Sequence, residues 1–519
     1  MLEISALPIP IHTFLWYNNA SEPSCFIGSL SRNIRAFTEF FKMSFTDITF
    51  IARFLPIFLA VYYIAPNRWR DPILFIGSLI FYAFGEPRMV FMLLLLVIAN
   101  YLMGRVLVKP RGVMEEGLPE LDENGNIVII PAVPEADHSA KRRAILILSV
   151  ILDAGVLIFF KAGALIKPGQ IMLPLGLSFY IFKMISYQAD LYTGKIKFRP
   201  EFFRTAVYFT MFPQIMQGPI MRYSAGDFET AHGRIFSFSR FEEGLVQAVL
   251  GIGMKVLLAD RIGILWNEIT KIGYESISTP LAWMGAFAYT FQLYFDFWGY
   301  SLIASGLGMM LGFSEIINFD HPYAAKNIAD FYRRWHATLG FWFRDYIYIP
   351  LGGSRVSKLK VIRNLLIVWA ITGLWHGGTL NFLIWGLVLG IFIILEKFPL
   401  KKIEKRIPLL GHLAVWVIIP LTWVIFAIPN LHDLGVYFLR LFPLHGGSQI
   451  VAQNDWLILL KQYAPYFGAS VFLCIPAVAK TIRKYSRNQI AIICFLILFW
   501  ISMYFVVTQQ SNSFMYFSF

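Results

Sequence analysis

Apolar segments long enough to enter a bilayer recur along most of this chain, near residues 47–65, 72–85, 89–108, 144–161, 171–187, 204–220, 244–259, 280–313, 364–375, 379–396, 411–428, 464–479 and 489–508. Hydrocarbon offers backbone amides and carbonyls no partner, so segments of this kind must satisfy their own hydrogen bonds as helices. With 57% hydrophobic and only 15% charged residues in 519, the chain reads as an all-α polytopic membrane protein and not as a soluble enzyme. A full crossing needs about 20 residues, which leaves roughly ten or more crossings, with the shorter pieces re-entrant or interfacial. The 49 Phe, 24 Tyr and 14 Trp suit aromatic belts at both membrane surfaces and identify no ligand.

The net charge of +13 does not point to nucleic acid here, because the basic residues sit in short clusters beside apolar runs, as positive-inside topology requires. Residues 109–143 read as a soluble cytoplasmic loop, acidic in the middle and basic at its ends. Lys401, Lys402, Lys405 and Arg406 mark a second cytoplasmic loop, and Lys480, Arg483, Lys484 and Arg487 a third. The 430–462 loop and the C-terminus then fall outside. Cys25, Cys474 and Cys494 have no metal or disulfide spacing, and the last two are expected to pack as small hydrophobes. Residues 1–42 differ from the rest of the chain: they lack a secretory-signal pattern, and they read either as an extension upstream of a start at Met43 or as an interfacial anchor using Phe37, Phe40 and Phe41. Residues 43–519 read as one multi-span domain.

Charges at membrane depth mark a polar interior, and Asp153, Lys183, Asp190, Lys255 and Asp296 all lie in or beside apolar segments. His376 is the most informative of the ionisable residues, because the apolar stretch around Gly373-Leu-Trp-His-Gly377 would hold an imidazole deep in the membrane. From the basic cluster Arg355, Lys358, Lys360 and Arg363, the chain covers about 20 Å to His376 at 1.5 Å per residue, against a core of about 30 Å. Gly377 and Gly378 should bend it there. The alternative is a hydrogen bond to a neighbouring helix and nothing more. His336 falls in a stretch where Phe331, Trp335 and Leu339 share one helical face and Asp330 can pair with Arg334. That pattern predicts one amphipathic helix near the cytoplasmic surface, for which lipid anchoring by Arg333, Arg334 and Arg344 competes with a catalytic role.

Read in order, Phe295-Asp-Phe-Trp-Gly-Tyr-Ser301, Asn318-Phe-Asp-His-Pro-Tyr323, Arg333-Arg-Trp-His336, Arg344-Asp-Tyr-Ile-Tyr-Ile-Pro-Leu-Gly-Gly-Ser-Arg355 and Gly373-Leu-Trp-His-Gly377 resemble the membrane-bound O-acyltransferase family. Gln217-Gly-Pro219 and Ser178-Phe-Tyr180 extend the match, which is closest to the alginate O-acetyltransferase type. The resemblance implies a helical bundle with re-entrant helices around a central polar tunnel, in a bacterial inner membrane. It implies catalytic roles for His376, as general base, and for His336. Acetyl-CoA is the implied cosubstrate, with no bound cofactor and no metal. Arg333, Arg334, Trp335, Arg344, Asp296, Asn318 and Trp375 are the implied donor- or substrate-binding residues. It further implies an extracytoplasmic esterase-like transferase of the SGNH type and a polysaccharide synthesis and secretion complex as partners. Asp296 has an equal reading as a structural ion pair, and the arginines as topology and lipid contacts. Transfer of D-alanyl or another acyl group, a precursor transporter using the histidines as proton relays, and a structural scaffold are the competing functions.

Overall fold

The computed structural model describes residues 43–108, 118–121, 127–130, 140–167, 170–196, 200–223, 236–442, 454–508 and 514–515. Residues 1–42, and with them the proposed extension or anchor, lie outside the described residues, as does most of the 109–143 loop. Met43–Phe519 forms one compact unit.

In chain order the helices are α1 (Leu55–Ile64), α2 (Arg70–Gly85), α3 (Val90–Leu107), α4 (Ala140–Ile166), α5 (Leu177–Tyr192), α6 (Phe202–Thr210), α7 (Phe212–Ile215), α8 (Phe238–Gly253), α9 (Asp260–Ile272) and α10 (Thr279–Met310). They continue with α11 (Ile328–Arg334), α12 (Ala337–Phe343), α13 (Lys358–His376), α14 (Leu380–Lys397), α15 (Lys401–Arg406), α16 (Pro408–Ala427), α17 (Leu431–Leu441), α18 (Asp455–Leu473), α19 (Pro476–Tyr485) and α20 (Gln489–Thr508). The helical bundle is as the sequence implies, with one small addition. Inside the expected loop, β1 (Leu118–Leu121) pairs antiparallel with β2 (Ile127–Ile130), Leu118 opposite Ile130.

Among the described residues five helical stretches are both long and apolar enough to cross a membrane: Pro87–Leu107, α4, α14, α16 and α20. The pair α18 and α19, bent by 78°, makes a sixth if it counts as one span. The expectation of ten or more crossings is not reached on that measure. Several apolar segments are instead short, broken, or so rich in aromatic and polar side chains that they belong to the interior. α10 shows this best: its 32 residues would extend about 48 Å, yet most of them are buried, and Asp296 lies within the bundle bound to Lys255 rather than facing lipid.

Two close helix crossings position the rest. α8 and α10 meet backbone to backbone, where a side-chain carbon on Gly306 would stand 2.3 Å from the Gly244 carbonyl and one on Gly299 2.7 Å from that of Gly251. α13 and α14 form the second, with Gly373 against the Phe382 carbonyl and Gly386 against that of Trp369. The charges read as interior all are: Asp153, Lys183, Asp190, Lys255 and Asp296 are at most 1% exposed. Their partners are Asn100 for Asp153 at 2.9 Å, Gln214 for Lys183 at 2.8 Å, Tyr346 for Asp190 at 2.8 Å, and Lys255 for Asp296 at 2.8 Å. Cys474 is buried as expected, but Cys494 is exposed on α20, whose outer face presents Ile490, Trp500 and Tyr504 to the surroundings.

Candidate active site

The single amphipathic helix expected through His336 is broken there. α11 ends at Arg334, α12 begins at Ala337, and His336 between them has a φ of 47°. Left-handed backbone at a residue bearing a β-carbon costs free energy and persists only where its surroundings over-determine it. Asn318 supplies that constraint. Its carbonyl accepts from the Ala337 amide at 2.9 Å, while its side-chain Oδ1 faces His336 Nδ1 at 3.1 Å and accepts from the Thr338 hydroxyl at 2.8 Å. Nδ2 of Asn318 donates to Ser301 on α10 at 3.0 Å, which fixes which way the amide points. Phe331, Trp335 and Leu339 are buried as their spacing requires, and Arg334 pairs with Asp330 at 3.1 Å.

Because Asn318 Oδ1 is an acceptor, this contact places a proton on His336 Nδ1, and in the neutral imidazole Nε2 is then the bare lone pair. Nε2 is buried and has no hydrogen-bond partner among the described residues. The imidazole stands edge-on to Phe297, with ring centroids 4.7 Å apart, and 6.3 Å from Trp375.

His376 is the last residue of α13. The chain turns at Gly377, where a side chain would strike the Phe382 ring, so the expected bend is present and has a packing cause. Trp375, Trp385 and Phe426 surround the imidazole at centroid distances of 4.8, 5.1 and 5.2 Å. The α13–α14 crossing through Gly373 and Gly386 holds this helix end against α14 and its neighbours.

Two cavities meet this residue. The larger, about 330 Å³, is lined by both histidines together with Arg333, Trp335, Arg344 and Tyr348. It falls in the size range of small-ligand sites. The smaller, about 100 Å³, is lined by His376 and Trp375 with Lys161, Ser178 and Gln217. Among the described residues His376 alone lines both. His376 thus stands in the walls of two separate cavities, the larger of them mainly apolar.

The residues expected at the site separate into groups. Arg333 and Arg344 lie at the larger cavity with side chains 71% and 50% exposed, each beside a carboxylate, Asp330 at 3.5 Å and Asp345 at 2.7 Å. Arg334 lines neither cavity and is held by Asp330 and Asp320. Trp335 lines the larger cavity and packs on Trp423, and Trp375 lines the smaller one. Asn318 reaches the site through His336. Asp296 lines neither cavity: it accepts from the Met515 amide and closes an ion pair with Lys255, which also binds Asp260.

Three contributors carry no clear signal of their own in the sequence motifs. Lys161 on α4 donates to the Trp375 carbonyl and could have been found as a lysine ending an apolar run. Thr338 joins the Asn318–His336 pair to Ile220, whose amide it accepts at 3.1 Å, and nothing in the sequence marks it. Ser301 was visible only inside a motif.

The family model described as MBOAT, membrane-bound O-acyltransferase family, matches residues 193–427. A relative named probable alginate O-acetylase AlgI from Pseudomonas syringae pv. tomato is 33% identical over 470 residues, covering 86% of this chain and 83% of the relative. The peptidoglycan O-acetyltransferase of Helicobacter pylori is 28% identical over 548 positions, covering 92% and 98%. The teichoic acid D-alanyltransferase of Bacillus subtilis is 28% identical over 250 residues, 46% of this chain and 62% of its own.

Proposed function

The chain belongs to the membrane-bound O-acyltransferase family and is a multi-pass membrane O-acyltransferase; on that premise we propose that it passes acetyl from cytoplasmic acetyl-CoA across a bacterial inner membrane for O-acetylation of a cell-surface or secreted polysaccharide. The observation that carries the reading is the position of His376 in the walls of both cavities. A group that carries an acyl unit from one side to the other needs a proton acceptor where donor and acceptor meet.

The donor would occupy the larger cavity. Arg333 and Arg344 at its edge suit the phosphates of coenzyme A, and the aromatic walls suit its uncharged arm. The acceptor hydroxyl reaches the thioester carbonyl from the smaller cavity and gives its proton to His376. A C–O bond forms and the C–S bond breaks. His336 Nε2, bare in the tautomer that Asn318 fixes, is available to receive that proton and hand it to the departing thiolate.

Acetyl is favoured over D-alanyl because the O-acetylase relatives align over most of this chain and the D-alanyltransferase over less than half. The immediate acceptor is a hydroxyl of a separate extracytoplasmic SGNH-type transferase or of a carrier within the polysaccharide secretion complex. Thioesters are made inside and the polymer is modified outside, which is the reason for a membrane intermediary. The test is acetyl-CoA turnover by the purified protein in lipid, with His376→Ala and His336→Ala as comparisons. Turnover in the wild type and its loss in folded His376→Ala is expected. A folded wild type that neither binds nor consumes acetyl-CoA, with partner and acceptor present, overturns the donor assignment.

A further inference from the structure

From the smaller cavity we infer that Gln217 binds the attacking hydroxyl, its carboxamide holding the acceptor oxygen in line with His376. The inference rests on the acyl-transfer reading above and extends it to the acceptor side.

Gln217 is 2% exposed, yet neither Nε2 nor Oε1 of its side chain has a hydrogen-bond partner among the described residues. A buried carboxamide with both ends unmet costs free energy, and such a group in a folded protein calls for an explanation. It lines the chamber that holds His376, Ser178 and Lys161. The surrounding structure fixes the residue firmly. Its backbone amide donates to the Tyr300 hydroxyl at 3.3 Å, and three residues on, the Ile220 amide donates to Thr338, the same hydroxyl that binds Asn318 Oδ1. The loop carrying Gln217 is therefore tied to the turn that carries His336. On the other side Gly176, with φ of 70°, lets the 175–178 turn approach, since any side chain there would meet the Ile215 carbonyl at 1.9 Å. The backbone is anchored while the side chain's polar end is left unmatched, the pattern of a binding group awaiting its ligand.

The matching ligand chemistry is a hydroxyl. A carboxamide offers one donor face and one acceptor face. Nε2–H can donate to a lone pair of the attacking oxygen, and Oε1 can accept from an adjacent hydroxyl or amide. The attacking O–H proton is then left for His376. The chamber's volume of about 100 Å³ is that of roughly three waters at about 30 Å³ each, the scale of one hydroxyl-bearing arm.

Glycerol serves as the hydroxyl probe. Purified protein in lipid is given acetyl-CoA with and without glycerol, and acetylglycerol and acetate are both measured. Their ratio does not depend on the fraction of protein that is folded. Gln217→Leu should shift the ratio at least about tenfold toward acetate with the KM for acetyl-CoA unchanged, and Gln217→Met, which keeps much of the side chain's length but has no N–H or O–H to donate, should do the same. An unchanged ratio in either variant overturns the inference, as does a wild type that releases acetate but forms no glycerol ester. A wild type that leaves acetyl-CoA untouched overturns instead the reading on which the inference rests.

Discussion

His336 Nδ1 lies 3.1 Å from Asn318 Oδ1, an oxygen already committed to the Thr338 hydroxyl at 2.8 Å. That relationship fixes the tautomer of an imidazole whose other nitrogen is buried beside the larger cavity, and it braces a backbone turn that His336 would otherwise avoid. The pair works as a positioning device comparable to the outer partners of metal-bound histidines, whose loss commonly costs about 10- to 100-fold in activity.

Asn318→Ala should accordingly lower acetyl-CoA turnover by roughly 10- to 100-fold. Asn318→Asp keeps the acceptor for Nδ1–H and should recover part of it. Turnover of both variants, normalised to folded protein by thermal melting in lipid, checks the expectation. Equal rates for Asn318→Ala and wild type would remove Asn318 from the mechanism.

Loss of the proposed base, His376, should cost more. His376→Ala is expected to reduce turnover by roughly 10²- to 10⁴-fold, the usual contribution of a positioned proton acceptor. Single-turnover kinetics should place the loss in the chemical step, with acetyl-CoA affinity retained.

The two cavity arginines and their neighbour make a matched set. Arg333→Gln and Arg344→Gln should each raise the KM for acetyl-CoA, by no more than roughly tenfold because both side chains are substantially exposed and already share carboxylates. Arg334→Gln should leave KM unchanged, since that guanidinium is held by Asp330 and Asp320 away from the cavity lining. A KM effect confined to Arg334 would reverse the assignment.

Asp296 offers a separation of stability from chemistry. Breaking a buried ion pair by removing one partner typically costs about 3–5 kcal/mol, so Asp296→Asn or Lys255→Met should lower the melting temperature while turnover per folded molecule stays near wild type. A folded Asp296→Asn protein with abolished turnover would return Asp296 to the active site.

The α13–α14 crossing can be probed by volume. A methyl group on Gly373 would sit 2.3 Å from the Phe382 carbonyl, and overpacking of this kind costs about 1–3 kcal/mol. Gly373→Ala should therefore both destabilise the protein and displace His376 three residues on, lowering turnover beyond the folded-fraction loss. Melting and turnover measured together distinguish the two effects.

The sequence by itself determined the helical membrane architecture, the interior placement of Asp153, Lys183, Asp190, Lys255 and Asp296, and the two histidines as the residues to examine. Those features follow from one-dimensional facts: apolar run length, the cost of a charge in hydrocarbon, and motif order. It read the His336 stretch as one helix because apolar spacing is blind to a single positive φ. The tertiary structure alone decided that Asn318, distant in chain order from Thr338 and Ser301, closes a network around His336. It alone brought Lys161, Ser178 and Gln217 to the chamber of His376, and closed Asp296 on Lys255 instead. Contacts of this kind depend on which helix faces meet, and that is set by the sum of all the packing at once, not by any one segment.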